Sequence, residues 1–247
     1  MKLSGLTAAL ALVLAAPALA QAPSPAIRAA VADAGRPDTD KAKDATRKPA
    51  EVLAFAGVKP GMKVADFIMG GGYFTRILAK AVGPNGKVYA YQPAEFIAFR
   101  AAYAEEQKTA SAPYANVVPL SGSLATLKFP EPLDLVFTAQ NYHDMHLKAV
   151  PAGSAQLILA GLKATLKPGG TLLVIDHVAN AGAADAPDTL HRIDPAAMRA
   201  EIEAAGFKFD GESSILRNPA DPHTDLVFKP TIRGQTDQVL YRFKKVG

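Results

Sequence analysis

The 247-residue sequence predicts a doubly wound α/β domain with a mostly parallel sheet. Two observations lead to this class. Apolar segments of strand length alternate with segments of helix length from residue 64 to residue 205, and repeated βα units form parallel sheets with helices on both faces. The last two strand-like segments, 208–217 and 238–244, have no helix between them, so an antiparallel hairpin is expected to complete the sheet.

The elements before the hairpin follow one another regularly. The predicted strands cover residues 64–67, 87–91, 116–120, 133–138 and 171–175. The predicted helices cover residues 40–55, 73–82, 94–108, 153–166 and 195–205. The fourth strand is a continuous apolar run, which is typical of a strand buried on both faces. Turn residues at 83–86 and 167–170 end the helices before them, and Asp194 is a suitable N-cap for the last helix.

The first twenty residues have the form of a secretory signal peptide. Lys2 is followed by an uncharged apolar segment, and Ala18-Leu19-Ala20 provides the small residues that signal peptidase requires. Cleavage after Ala20 is predicted, which implies a periplasmic or secreted protein without stable membrane insertion. The alternative is an uncleaved anchor, although the apolar run is shorter than the roughly 20 residues of a membrane span. Residues 21–39, rich in Ala and Pro, are interpreted as a linker before a domain at 40–247.

Composition limits the classes of partner. The sequence has no cysteine, which excludes disulfides and a lipid anchor on cysteine. The net charge of +4 is mild. The basic residues between positions 41 and 48 alternate with Asp40 and Asp44, which favours a solvated helix face over a nucleic-acid footprint. No nucleic-acid partner is therefore expected, and the oligomeric state is not predicted.

A glycine cluster stands between the first strand and the first helix of the core. Ligands of open parallel sheets bind at the carboxyl ends of the strands. Gly70, Gly71 and Gly72 are placed there, where a backbone without side chains lets a ligand approach closely and the helix start offers free N–H groups. Tight-turn packing is the alternative interpretation. The dinucleotide pattern G-x-G-x-x-G is absent because residue 68 is Ile, and no phosphate-binding P-loop is present.

Residues 61–75, GMKVADFIMGGGYFT, resemble the first motif of class I S-adenosylmethionine (SAM)-dependent methyltransferases. The similarity is closer to a bacterial group of predicted, often exported, methyltransferases, and it extends over roughly residues 40–245. Further segments with this resemblance are 140–144, 167–170, 176–177, 191–194 and 217–219. The resemblance implies a Rossmann-like seven-stranded sheet, SAM as methyl donor along its carboxyl edge, and methyl transfer to an unidentified small molecule.

The resemblance also assigns donor-binding residues. Asp66 and the glycines at 70–72 would lie beneath the methionine part and the ribose of SAM. Gln92 ends the second strand where most of these enzymes have an acidic residue, and its amide would meet the ribose hydroxyls without the strength of a charge-assisted bond. Asn141 would contact SAM or the substrate. Ile68 replaces the first glycine of the usual motif.

Polar residues after the fourth and fifth strands are candidates for catalysis. His143 and Asp144 follow the fourth strand, whereas Asp176 and His177 follow the fifth, and in the class I strand order these loops are neighbours together with His191. An acceptor hydroxyl or amine must lose a proton, and histidine is suited to remove it near neutral pH. His143 is the first choice as base, with Asp144 or Asp176 orienting an imidazole and His177 nearby. The alternative is that these histidines only hold the loops together.

Other chemistries receive less support from the sequence. The run at 143–146 contains two histidines and a carboxylate, but it lacks the spacing of a motif such as H-E-x-x-H, so no metal is expected. No G-x-S-x-G turn is present, which gives serine hydrolase chemistry no support. An alternative to the enzyme is a cell-envelope binding protein that keeps the methyltransferase fold without catalysis, suggested by export, Ile68 and Gln92. Another reaction on the same fold is a third possibility.

Overall fold

The structure is a computed structural model that describes residues 22–246, and its centre is a seven-stranded sheet. The strands in chain order are β1 Lys63–Phe67, β2 Lys87–Pro93, β3 Val117–Gly122, β4 Leu133–Ala139, β5 Leu166–His177, β6 Phe207–Ser213 and β7 Gln238–Lys245. Their spatial order is β3-β2-β1-β4-β5-β7-β6. Strands β1 to β5 are parallel, and β7 lies antiparallel between β5 and β6. The predicted doubly wound sheet with a C-terminal antiparallel hairpin is confirmed.

Helices cover both faces of this sheet. They are α1 Pro25–Val31, α2 Asp38–Lys41, α3 Asp44–Arg47, α4 Pro49–Ala56, α5 Tyr73–Val82, α6 Ala94–Phe99, α7 Ala102–Ser111, α8 Ser154–Thr165, α9 Ala186–Leu190 and α10 Pro195–Ala204. Alternate residues of β4 belong to different hydrophobic clusters: Leu135 and Phe137 pack with α4 and α5, whereas Val136 packs with α8 and α10. This alternation shows why a continuous apolar strand is required at the centre of the sheet.

The region interpreted as a linker is instead part of the packed fold over its described residues, 22–39. Ser24 caps α1 by accepting a hydrogen bond from the Ile27 amide, and Pro25 occupies the first helical position. Ile27 and Ala30 are buried, and α1 packs against α5. Burial of an Ile side chain contributes roughly 1.5–3 kcal/mol, which explains why an Ala- and Pro-rich segment is ordered here. The predicted signal peptide and its cleavage site lie outside the described residues.

Two predicted helices are interrupted. The helix predicted for 40–55 is broken into α2, α3 and α4, and the last break falls at Lys48, which adopts φ 42° before Pro49. The residue before a proline disfavours the helical conformation, which accounts for this break. The helix predicted for 94–108 divides at Arg100 into α6 and α7. The predicted cap of α10 is confirmed, since the Asp194 carboxylate accepts a hydrogen bond from the Ala196 amide at 2.9 Å.

Buried polar groups anchor the segment between β6 and β7. The Arg192 guanidinium is fully buried and pairs with Asp221 at 2.8 and 3.1 Å. Asp221 also accepts a hydrogen bond from the Asp237 backbone N–H at 2.6 Å, so the polar loop 218–237 is fixed to the start of β7.

None of the helices within residues 22–246 combines the length and the apolar character that a membrane crossing requires.

Candidate functional site

The glycine turn lies at the carboxyl end of β1, where the strand order reverses between β1 and β4. A Cβ atom added to Gly70 or Gly71 would meet no atom within 4 Å, so this backbone faces open space. Gly72 is different, because its Cβ would lie 2.4 Å from the Ala110 Cβ. Gly70 and Gly72 both take the left-handed conformation, with φ 53° and 77°. Two of the three glycines therefore leave room for a ligand, and the third is required by packing and backbone conformation.

Ile68 takes the left-handed conformation that favours glycine, with φ 60°. This conformation costs roughly 1–2 kcal/mol for a residue with a side chain. The side chain is buried in the cluster beneath the turn, and that burial offsets the cost. The departure from the usual motif therefore changes the side chain at this position and leaves a glycine-like backbone.

Asp66, at the end of β1, is the buried acid of the turn. Its carboxylate accepts a hydrogen bond from the Thr75 hydroxyl at 2.6 Å, and its residue is only 4% exposed. Burial raises the pKa of Asp66 to about 6, although the Thr75 hydrogen bonds oppose this. Because burial disfavours the ionised form of Asp66, a cationic group of a ligand in the adjoining cavity would stabilise its carboxylate.

A cavity of about 200 Å³ opens above Asp66 and the glycine turn. Arg47 reaches it from α3, with its guanidinium 4.6 Å from the centre of the Tyr73 ring. Asp40 and Asp44 precede Arg47 in the same segment, but they pair with Arg76 and Arg36. Within the described residues Arg47 forms no ion pair and donates only to the Gln140 side chain at 3.2 Å. The cavity thus contains a cation available for a ligand carboxylate and a carboxylate available for a ligand cation.

The predicted solvated face at 40–48 is wrong for part of the segment. Lys43 and Lys48 are exposed, but Arg47 lies at the cavity and Asp40 is 4% exposed and bonded to Arg76. Sequence reasoning therefore missed Arg47 as a site residue. No local signal indicates its position, because Asp40 and Asp44 lie on separate short helices, α2 and α3, whose packing turns Arg47 inward.

Gln92, at the end of β2, is fully buried against the turn. Its Oε1 accepts a hydrogen bond from the Gly70 amide at 3.1 Å, while its Nε2 is buried and has no partner among the described residues.

Beyond Ile68 lies a second, more apolar cavity of about 280 Å³. Its wall includes Phe96, Leu124, Met145 and Ile158, and Ile68 lines both cavities. The two cavities are therefore neighbours along the carboxyl edge of the sheet.

Asn141 and Gln140 follow β4 at the edge of the first cavity. The Asn141 amide donates to the Ile68 and Ala139 carbonyls at 3.0 and 2.7 Å, so its two N–H groups link the glycine turn to the end of β4. Gln140 has φ 65° and links Arg47 to Gln238 through its side chain. Asn141 lies where a bound molecule would contact it, with only its side-chain oxygen left to receive a hydrogen bond.

His143, Asp144 and His191 meet at the end of β4, as the strand order predicts. The His143 Nε2 atom is 3.3 Å from the His191 Nδ1 atom and 3.3 Å from the Asp144 Oδ1 atom. On its other side, His143 Nδ1 lies 2.8 Å from Asp176, which also accepts the His143 backbone N–H at 2.7 Å. Asp176 is the orienting acid, and Asp144 stands on the opposite side of the imidazole.

The electrostatics of this cluster favour one shared positive charge. Burial alone lowers the pKa of His143, but Asp176 and Asp144 raise it above its ordinary value. Burial raises the pKa of Asp144 to about 6, with His143 opposing that shift. Burial and the charge of His143 lower the pKa of His191. A single cation, either a proton on His143 or another ion, is thus stabilised at this point.

His177 is separated from this cluster. Its Nδ1 atom lies 2.7 Å from the Thr236 hydroxyl, and its ring centre is 6.1 Å from that of His143. Burial lowers the pKa of His177 to about 4, so its imidazole is neutral at physiological pH. The structure thus brings His143, Asp144, Asp176 and His191 together and turns His177 toward the loop before β7.

Solved methyltransferase structures share this fold. A SAM-dependent methyltransferase from Aquifex aeolicus is 24% identical with a TM-score of 0.58, covering 85% of this chain and 99% of that chain. The N-methyltransferase NodS from Bradyrhizobium japonicum is 10% identical with a TM-score of 0.53, covering 86% of this chain and 99% of that chain. Fibrillarin from Aeropyrum pernix, with natively bound SAM, is 13% identical with a TM-score of 0.51, covering 78% of this chain and 72% of that chain. No protein-family model and no curated protein matches the chain.

These similarities establish the architecture of the protein. The chain has the fold of class I SAM-dependent methyltransferases, with the parallel order β3-β2-β1-β4-β5 completed by an antiparallel β7 and an edge strand β6. The open edge above the glycine turn is the feature of this fold that matters for a ligand. The expected roles of individual side chains remain predictions.

Proposed function

We propose that the protein transfers the methyl group of SAM to a small-molecule acceptor. The observation that carries the proposal is that Arg47 and Asp66 both line one cavity at the carboxyl edge of β1 without pairing with each other. The methionine part of SAM carries one carboxylate and one ammonium group. Arg47 is available for the carboxylate, because no acid of the described chain pairs with it, and Asp66 is available for the ammonium.

The rest of the donor fits the neighbouring surfaces. Gly70 and Gly71 leave space for a ligand to lie against the backbone. The unpartnered Nε2 of Gln92 would donate to a ribose hydroxyl, which relieves a buried polar group that otherwise costs about 1–3 kcal/mol. The apolar cavity beyond Ile68 suits the adenine ring. Each cavity alone is smaller than the roughly 300 Å³ at which ligand sites begin, so we expect SAM to occupy both.

The residues after β4 and β5 would then serve the acceptor. SAM supplies an electrophilic methyl group on a sulfonium, which the acceptor attacks in line while the S–C electrons remain on sulfur. We assign His143 and Asp144 to removal of the acceptor proton, with Asp176 fixing the imidazole through Nδ1. His177 holds the strand end in place beside Asp176, whose carboxylate accepts the His177 backbone N–H at 2.7 Å.

The test distinguishes binding of the amino-acid part of SAM from binding of its adenosine part. Arg47→Met should weaken SAM binding roughly 10- to 100-fold, as expected for loss of a charge-assisted hydrogen bond in a partly buried site. The same variant should bind 5′-methylthioadenosine, which lacks the amino-acid group, as tightly as the wild type does. Arg199→Met is the matched control, since Arg199 pairs with Glu203 on α10, away from the cavities.

Calorimetric titration of the wild type and of Arg47→Met, each with SAM and with 5′-methylthioadenosine, gives a thermodynamic cycle. Equal losses for SAM and for 5′-methylthioadenosine would show that Arg47 acts on the fold and not on the carboxylate. No binding of either compound to the wild type at millimolar concentration would refute the proposed function. The inactive binding protein gains no support from the comparisons, and it would be recognised by SAM binding without turnover on any acceptor.

We also propose that the protein acts outside the cytoplasm after cleavage behind Ala20. The support is the sequence of residues 1–20 alone. N-terminal sequencing of protein from the cell envelope should begin at Gln21. An intact Met1 on that protein would contradict this location.

A further inference from the structure

We propose that His143, Asp144 and His191 form a site for one divalent transition-metal ion. Three atoms define it: His143 Nε2, His191 Nδ1 and Asp144 Oδ1. They are separated by 3.3 Å, 3.3 Å and 3.9 Å. Two imidazole nitrogens and one carboxylate oxygen form a ligand set that suits zinc or iron(II).

The size of this triangle matches metal coordination. The circle through three atoms with these separations has a radius of about 2.0–2.1 Å, so one point lies at that distance from all three. Zinc bonds histidine nitrogen at about 2.0–2.1 Å and carboxylate oxygen at about 2.0–2.2 Å. An ion therefore fits with small movements of the exposed side chains.

Three nitrogen and oxygen atoms that can bind a metal meet at this point. Asp176 accepts hydrogen bonds from two backbone N–H groups, those of His143 and His177, and so acts as a carboxylate toward His143 Nδ1. The Nδ1 atom of His143 then carries the hydrogen, and in the neutral ring Nε2 presents a lone pair. That lone pair lies 3.3 Å from a second acceptor, Asp144 Oδ1, and 3.3 Å from His191 Nδ1. In one tautomer of His191 its Nδ1–H donates to the lone pair; in the other, three acceptors meet, and a proton or a metal ion must lie between them.

The surroundings of His143 are those of a metal ligand. A histidine bound to a metal usually donates its other ring N–H to a carboxylate, which fixes the ring and strengthens its basicity. Asp176 provides this group at 2.8 Å and is itself fully buried. His191 is held by a left-handed backbone conformation at φ 52°, with its ring 4.9 Å from that of Phe228. Two of the three ligands are thus positioned before any ion binds.

The proposed site has an open side. The side chains of Asp144 and His191 are 17% and 29% exposed, whereas that of His143 is 4% exposed. Three protein ligands with a remaining position for water or substrate is the arrangement of catalytic zinc sites. If the proposed methyl transfer holds, a bound ion would replace the base role assigned to His143 and Asp144, because it would occupy their lone pairs. An acceptor oxygen bound to the ion would lose its proton to solvent more readily and attack the methyl group as an oxyanion. The sequence placed His191 near His143 but predicted no metal, because the run at 143–146 lacks a recognised ligand spacing and the third ligand lies 47 residues after Asp144.

The experiment titrates the EDTA-treated, purified protein with Zn²⁺ alone and, separately, with Co²⁺ alone. We expect one Zn²⁺ per chain and Co²⁺ absorption bands of a low-coordinate site. His191→Ala and Asp144→Asn should each weaken Zn²⁺ binding at least roughly 100-fold, since loss of a side chain that binds the ion exceeds the 10- to 100-fold effect of losing one that only hydrogen-bonds to a ligand. His146→Ala is the matched control, because His146 lies in the same turn and pairs with Glu201 at 3.0 Å. Its Zn²⁺ affinity should equal that of the wild type.

Three outcomes would overturn the inference. The wild type could bind no Zn²⁺ near pH 8, which would mean that a proton alone occupies the point. His191→Ala and Asp144→Asn, folded by circular dichroism, could bind Zn²⁺ as the wild type does. His146→Ala could lose affinity as they do. SAM binding to the EDTA-treated protein is measured in parallel, so failure of the metal site and failure of the donor site are distinguishable.

Discussion

Replacing Asp66 by asparagine should stabilise the protein above pH 6 and weaken its binding of SAM. Asp66 is 4% exposed and receives the Thr75 hydroxyl at 2.6 Å. Burial raises the pKa of its carboxyl group from 3.8 to about 6. The folded protein therefore holds the Asp66 proton more tightly than the unfolded chain does.

The sign of the pH dependence follows from this difference. Between about pH 4 and pH 6 the folded state binds more protons at Asp66, so the free energy of unfolding falls as the pH rises and stays low above pH 6. A shift from 3.8 to about 6 corresponds to about 3 kcal/mol. Asparagine removes this cost and can still accept the Thr75 hydrogen bond, but its buried amide hydrogens cost about 1–3 kcal/mol if they find no partner. We expect Asp66→Asn to be more stable than the wild type by up to about 2 kcal/mol at pH 7.5.

The assay is urea unfolding of both proteins at intervals from pH 4 to pH 8. The difference in free energy between wild type and variant isolates Asp66 from other groups that titrate in this range. The variant should also bind SAM about tenfold more weakly while keeping its affinity for 5′-methylthioadenosine. A constant difference in stability from pH 4 to pH 8 would refute the reasoning, because it would mean that the pKa of Asp66 is not raised by folding.

Three further predictions concern other parts of the fold. Arg192→Met should destabilise the protein by about 3–5 kcal/mol, because it leaves the Asp221 carboxylate buried without its partner. In urea unfolding, the double variant with Asp221→Asn should recover much of this loss, and no recovery would contradict the pairing. Asp194→Ala should cost about 1 kcal/mol in the same assay through loss of the α10 cap, and an unchanged midpoint would argue against it. Gln92→Glu should bind SAM about tenfold more tightly in calorimetry, because a carboxylate strengthens the bonds to the ribose hydroxyls, whereas Gln107→Glu, another buried amide, should not.

The bounds of a helix could be predicted from the sequence where glycines stand at both of its ends. The sequence predicts α5 at 73–82, and the structure has the same bounds, because Gly72 and Gly83 adopt positive φ at its two ends. The same reasoning overlooked the break at Lys48, although the following proline indicated it. The division at Arg100 carries no glycine or proline signal and depends on how α6 and α7 each pack.

Long-range pairing limited what could be predicted of the site. The order of β4 and β5 placed His143 near Asp176, as expected from the class I arrangement. Nothing local to His191 indicates that its ring meets His143, because a short helix and a left-handed residue bring it there. Arg47 was missed for a related reason: whether a basic helix faces solvent or a cavity depends on the strands beneath it.

The measurement that tests the account most directly is calorimetric titration of ligand-free wild-type protein with SAM. The account predicts one SAM per chain with a dissociation constant between about 1 μM and 1 mM, the usual range for enzyme substrates. It also predicts competition by S-adenosylhomocysteine for the same site. Absence of heat and of any thermal stabilisation at millimolar SAM would contradict the central claim that the space above Asp66, Gly70 and Gly71 holds this donor.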